Sequence, residues 1–174
     1  MKGRLFDSNS PENRARRDLV HDRCRAYTRS PSKGHFKKLK TLFNTCGNDV
    51  RIEYGFHCDY GANISFGERV YININCTILD GADVIIGDDV LVGPNVQLIT
   101  VNHEIQANAR LNKKAYVQSI EIGNNVWIGA GVIILPGAII EDDVVIGAGS
   151  IVTGLLKSNQ LYIGNPAQSN RAIE

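Results

Sequence analysis

The sequence lacks any apolar run long enough to cross a bilayer. Its longest, from Ala130 to Ile140, is broken by Gly and Pro and falls short of the ~20 residues a spanning helix needs. The opening MKGRLFDSNSPEN is too polar for a secretory signal. Cysteine is sparse. Cys24, Cys46, Cys58 and Cys76 form no CxxC pair and no Cys/His grouping at zinc spacing, so they are expected as buried free thiols of a cytoplasmic protein. Excess charge of one sign is missing too: 19 Lys and Arg against 18 Asp and Glu leave +1, which excludes a generally basic nucleic-acid coat. What remains is one chain of 174 residues, 43% hydrophobic, long enough for a single domain with a real core and too short for two.

The balanced total hides a split. Residues 1–47 hold 12 of the 19 basic and 4 of the 18 acidic residues, a surplus of +8, and the rest carries −7. A basic helical pair, solvated or lying against its own acidic neighbour, accounts for this; a basic surface facing an anion is the alternative. Ser10 before Pro11 and Glu12 is a helix start, since the Ser oxygen caps a free N–H and Pro loses nothing at the first helical position. A helix is expected from about Pro11 to Tyr27, ended by the Ser30-Pro31 step. A second, about Ser32 to Asn44, carries Phe36, Leu39, Leu42 and Phe43 on one face, with Gly47 just beyond it. That face needs something to cover.

From Ile122 onward aliphatic residues return every six positions: Ile122, Ile128, Ile134, Ile140, Ile146 and Val152. Four residues after each of the first five stand Val126, Val132, Ala138, Val144 and Ser150. The same phase is read upstream at Tyr54, Tyr60, Phe66, Ile72 and Ile78, and two residues later at Ile86, Val92 and Leu98, so a bulge is expected near Asp80 to Asp83. A period of six fits neither a helix nor a long strand. It fits short strands joined by tight corners in an all-β solenoid, with Gly and Asn taking positive φ at the corners. Such coils bury their inward residues only as a capped stack, and the basic helical pair is the natural cap. The expected organisation is a helical cap over residues 1–48, a solenoid over 49–156 and a capping tail over 157–174.

Between Leu98 and Ile122 the repeat fails, because Glu104, Arg110 and Tyr116 occupy its positions. Residues 100–119 are therefore expected to leave the solenoid as an external loop, and loops of this length are usually functional or disordered. His103 stands at its root.

The repeats resemble the hexapeptide repeats of left-handed parallel β-helix acyltransferases, which have three faces and about eighteen residues per coil. The string NHEIQANARLNKKAYVQSIEIGNNVWIGAGVIILPGAII, with GFHCDYG, INCTILDG, GNPA and the GRLFD opening, is similar to the maltose and galactoside O-acetyltransferases over nearly the whole chain. The resemblance supplies the left-handed sense and implies a homotrimer that moves an acetyl group from acetyl-CoA to a sugar hydroxyl at sites between subunits. It involves no covalent intermediate, no metal in the chemistry, no nucleic acid and no membrane. His103 matches the general base, a role imidazole suits because its unperturbed pKa of ~6.5 leaves a neutral fraction at physiological pH. Asn73 matches an active-site Asn that holds the sugar or the oxyanion, Asp59 an acceptor contact, and Asp7 an acidic contact in the N-terminal segment. For the cofactor the matching positions are Trp127, Ala130, Ala148, Thr153 and Arg171, with the Ala130 N–H also serving the oxyanion.

The sequence departs from the family at three points. The loop Glu usual about a dozen residues after the catalytic His is missing from Lys113-Lys114-Ala115-Tyr116, a Lys after the final repeat is Gly154, and an Arg after the NPA string is Gln168. A missing orienting partner lowers the rate expected of an imidazole base, and missing cations weaken diphosphate binding. Three alternatives stand beside the sugar reading: another hydroxylated acceptor, such as an antibiotic or lipo-oligosaccharide; a non-catalytic binding protein; and a zinc enzyme of the γ-carbonic anhydrase type. The last needs a His pair on successive coils, whereas only His57 and His103 lie in the repeats.

Overall fold

The computed structural model describes residues 3–173. Short strands wind into a triangular prism whose three parallel sheets are faces I, II and III. Face I begins with Thr45–Cys46 and ends with Leu155–Leu156; face II runs from Arg51–Ile52 to Gln160–Gly164; face III runs from His57–Cys58 to Ile151–Val152. Inward residues stack in columns: Phe66, Ile86, Ile122, Ile140 and Leu156 on face I, Ile52, Ile72, Val92, Ile128 and Ile146 on face II, Cys58, Ile78, Leu98, Ile134 and Val152 on face III. All are buried. This is the parallel β-solenoid that the six-residue repeat implies, with a helical cap and an external loop.

Coil length changes along the stack. Thr45 pairs with Ser65 and Thr77 with Gln97, coils of 20 residues; Gln97 pairs with Ile133 across the loop; Ile133 pairs with Ile151, a coil of 18; Ile139 pairs with Leu155, a coil of 16. The two-residue excess expected once, near Asp80, therefore occurs twice, and it also lies one coil earlier, at Tyr60 to Asn63. This corrects the inward phase: Ile52, Cys58 and Phe66 point in, while Tyr54 is 48% exposed and Tyr60 lies in a corner, its ring 5.6 Å from Phe6. Asn75, Asn95, Asn125 and Asp143 take the positive φ that tight corners require. At Gly129 the reason for glycine is space, since a Cβ there would meet the Ala148 nitrogen at 2.6 Å.

Helix α1 spans Pro11–Arg29 and α2 spans Lys33–Lys40, their N-termini capped by the Ser10 and Ser32 hydroxyls. The second helix stops short of the expected Asn44. Leu42 and Phe43 donate to the carbonyls three residues back, and Asn44 then donates to Ile64 O, already inside the first coil. The solenoid thus begins at Thr45, ahead of the expected boundary, and at its other end the strand Gln160–Gly164 carries face II into the tail. Phe43 meets Phe56 and Phe66 edge-on, and Tyr27 Oη donates to Ile52 O at 2.6 Å. The helical face expected to need a cover is the one closing the bottom of the stack. The arginine that anchors it, Arg16, donates to the carbonyls of Tyr60 and Leu42 rather than to an acidic face.

Residues 101–117 form an antiparallel hairpin, Val101–His103 against Ala115–Val117, with a one-turn helix, Ala107–Arg110, at its tip. The N-terminal strand Arg4–Phe6 adds a third strand, so that Phe6, Ala115 and His103 lie in register. Among the described residues no helix is long and apolar enough to cross a membrane.

Ile128 sits mid-column, fully buried between Val92 and Ile146. Ile128→Ala is expected to lower the unfolding free energy by about 2–5 kcal/mol, read as a drop in the melting midpoint, because rigid neighbouring coils leave the cavity unfilled.

Candidate active site

The prism has three edges, and the coil lengths decide which residue stands on which. His103 ends the first hairpin strand, on the edge where face III turns into face I. Its ring is exposed, and its backbone N–H donates to Asn102 Oδ1. Nδ1 lies 3.4 Å from Lys114 O. A carbonyl only accepts, so a hydrogen bond across this long separation requires the tautomer with its proton on Nδ1 and its lone pair on Nε2. The loop stretch that lacks the family's Glu thus offers a backbone oxygen from Lys114. Beside the ring opens a cavity of about 480 Å³ lined by Gly3, Asn102, Glu104, Gln106, Tyr116 and Gln118 among others. Tyr116 Oη donates to Glu104 Oε1 at 2.7 Å, fixing that carboxylate on the cavity wall.

Asp59 and Asp7 share this edge. Asp59 is half-buried, with Oδ1 3.4 Å from His21 Nε2, and its backbone N–H donates to Asp80 Oδ1. Asp7 is exposed, one residue beyond the strand that pairs with the hairpin, and its Oδ1 accepts the Asn9 amide. Thr153 is exposed higher up the same edge.

Asn73, Ala130 and Ala148 stand on a different edge, where face II turns into face III. There Asn95 donates to Ile74 O, Gly131 to Pro94 O and Gly149 to Ala130 O, a ladder that stacks these corners directly. Asn73 Oδ1 accepts the Ile74 amide, and both alanines are exposed. Trp127 lies on the outside of face II, 56% exposed, and Arg171 lies on the C-terminal strand Ala167–Ala172 that extends it. One chain therefore gathers His103, Asp59, Asp7 and Thr153 on one edge and Asn73, Ala130 and Ala148 on another, with face III between them.

Residues 119–154 match the family described as Bacterial transferase hexapeptide (six repeats). A Saccharomyces cerevisiae protein bearing an acetyltransferase name is 40% identical over 98% of this chain and 89% of its own length. A maltose O-acetyltransferase from Clostridium difficile 630 superposes with TM-score 0.94 at 36% identity, covering 99% of this chain and 94% of that one. A galactoside acetyltransferase in complex with coenzyme A does so with TM-score 0.94 at 38% identity, covering 99% and 88%. The chain belongs to the maltose and galactoside O-acetyltransferase family. A shorter match, 47% identical to a Schizosaccharomyces pombe protein of similar name, spans 38% of that relative's length.

Three features of this acetyltransferase escaped the sequence. Asp80 is fully buried, accepts the Asp59 and Tyr60 amides on Oδ1 and leaves Oδ2 without a partner; burial pushes its carboxyl up to about 6. It sits inside the INCTILDG string, but a carboxylate in a corner motif carries no mark of burial. Lys114 meets the His103 ring through its carbonyl, which side-chain patterns do not report. His21 comes from α1 and meets Asp59 only because the cap docks on the first coil.

Proposed function

We propose that this protein transfers the acetyl group of acetyl-CoA to a sugar hydroxyl in the cytoplasm, as a homotrimer with its sites between copies. The observation that carries this reading is the His103 imidazole, its Nδ1 facing the Lys114 carbonyl at 3.4 Å beside an open cavity. Nε2 removes the acceptor proton as the hydroxyl oxygen bonds to the thioester carbonyl carbon. The oxyanion that forms is met by the Ala130 N–H of a neighbouring copy, a donor worth about 3 kcal/mol in such sites. As the carbon–sulfur bond breaks, the imidazolium returns the proton to the departing thiolate, so no bond to the enzyme is made.

The trimer is supported by two observations. Edges bearing complementary halves of one site are apart in a single chain, and two copies side by side bring the His103 edge of one against the Ala130 edge of the next. The outer faces also carry apolar residues that water disfavours: Leu91 pairs with Trp127 on face II and Ile139 with Leu155 on face I, and Ile105 and Leu111 stand out from the loop. Small exposed Ala130 and Ala148 suit an extended pantetheine arm bound through backbone groups, with Thr153 and Arg171 toward the nucleotide. The cytoplasm suits a chain whose four cysteines are all free.

Thiol release from acetyl-CoA, followed over an acceptor panel of glucose, maltose and galactosides beside hydroxylated antibiotics, tests the reading. Release that depends on a sugar is expected. Release only with a non-sugar acceptor would reassign the substrate, and acetyl-CoA binding without turnover on any hydroxyl would leave a binding protein.

A further inference from the structure

We propose that His21, His57 and Asp59 form a binding site for one divalent transition-metal ion, pinning α1 to the first coil. The site lies on the His103 edge and takes in Asp59, the expected acceptor contact; the ion's role is structural, and it takes part in no step of the acyl transfer. Strand geometry makes it: residues 57 and 59 flank inward-pointing Cys58, so both side chains emerge on the outside, where α1 crosses with His21. One donor atom from each residue lies within 4.8 Å of the others.

The spacing favours an ion over a plain ion pair. His21 Nε2 and Asp59 Oδ1 are 3.4 Å apart, beyond the usual range of a good N–H···O bond. Metal–ligand bonds of about 2.0–2.1 Å in a tetrahedron place neighbouring donors about 3.3 Å apart. The two imidazole centroids are 4.4 Å apart with planes tilted by 49°, neither stacked nor edge-on.

The scaffold holds two of the three ligands at the backbone. The His57 N–H donates to Cys76 O at 3.0 Å and the Asp59 N–H to Asp80 Oδ1 at 3.0 Å. All three residues are half-buried, which leaves a fourth position to water. Two imidazoles and one carboxylate suit zinc, cobalt or nickel; calcium and magnesium prefer all-oxygen sets. The γ-carbonic anhydrase pattern sought in the sequence requires His residues on successive coils, whereas here one comes from the cap.

The full chain, stripped with EDTA and free of acetyl-CoA and sugar, is titrated with Zn²⁺ and with Co²⁺ by calorimetry. One ion per chain is expected, with a raised melting temperature. His21→Ala and His57→Gln are each expected to weaken binding more than about tenfold while melting like the wild type without metal. Absence of saturable binding, or affinity unchanged in both variants, overturns the proposal. Should a variant lose its fold, the Co²⁺ spectrum of the wild type decides: tetrahedral d–d bands without a thiolate charge-transfer band uphold the site. A thiolate band, pointing to Cys24 or Cys58, or the spectrum of hydrated Co²⁺, sinks it. These readouts need no turnover, so they stand or fall apart from the acetyl-transfer reading.

Discussion

His103→Ala is expected to lower kcat/KM for the acceptor by about 10²–10⁴-fold, the range a positioned general base contributes. That is about 3–5.5 kcal/mol of transition-state stabilisation. The melting temperature should barely move, because the ring is exposed and its contacts are limited to a long Nδ1 bond to Lys114 O and the loop around it. KM for acetyl-CoA should stay near the wild-type value, since the proposed pantetheine contacts are backbone groups at Ala130 and Ala148 that the substitution leaves in place. This split separates lost chemistry from lost structure. A variant as active as wild type on a good acceptor would remove His103 from the mechanism and leave only the architecture. In the proposed mechanism the Lys114 carbonyl, 3.4 Å from Nδ1, is the acceptor that faces the ring in place of the missing loop Glu, and as a neutral group it stabilises the imidazolium less than a carboxylate would.

The solenoid was legible because its inward residues repeat without slip from Ile122 to Val152, and burial tolerates no other pattern there. Below Leu98 the same logic misread Tyr54 and Tyr60. Corners of the first coils carry two extra residues, and an aromatic at a six-residue step looks like a core residue until the corner is counted. The cap helices were legible at their starts, where Ser10 and Ser32 bond a backbone N–H three residues on, and less so at the end of α2, where pairing with Ile64 competes with helix. Pairing of Arg4–Phe6 with Ala115–Val117 was out of reach, since more than a hundred residues separate the partners and a strand of three residues, two of them exposed, carries little signal.

The candidate site was legible as residue types and opaque as geometry. His103, Asn73, Ala130 and Ala148 are recognisable by resemblance, yet which edge each occupies depends on coils of 20, 18 and 16 residues and on the loop between them. A periodic pattern reports the inward face and says nothing about which corners align. The same blindness hid the meeting of His21 with His57 and Asp59, which exists only where helix and coil dock.

Two inactive variants mixed in one trimer are expected to recover activity. His103→Ala removes the base from the edge between faces III and I. Ala148→Trp fills the edge between faces II and III, where the exposed alanine leaves the fold free to accept bulk and the groove unable to accept pantetheine. If each site takes its base from one copy and its cofactor edge from the next, an interface joining an Ala148→Trp subunit's His103 to a His103→Ala subunit's Ala148 is intact. Every mixed trimer, whichever variant is in the majority, has one such interface among its three, so mixed trimers should show about one third of wild-type activity while each parent shows next to none. Differently tagged subunits, co-expressed and purified through both tags, supply the mixed species. A site completed within a single chain allows no such rescue, because every subunit then carries one lesion or the other. Mixed trimers no more active than the average of their parents would therefore place the base and the cofactor on one copy, against the separation of their edges by the whole of face III.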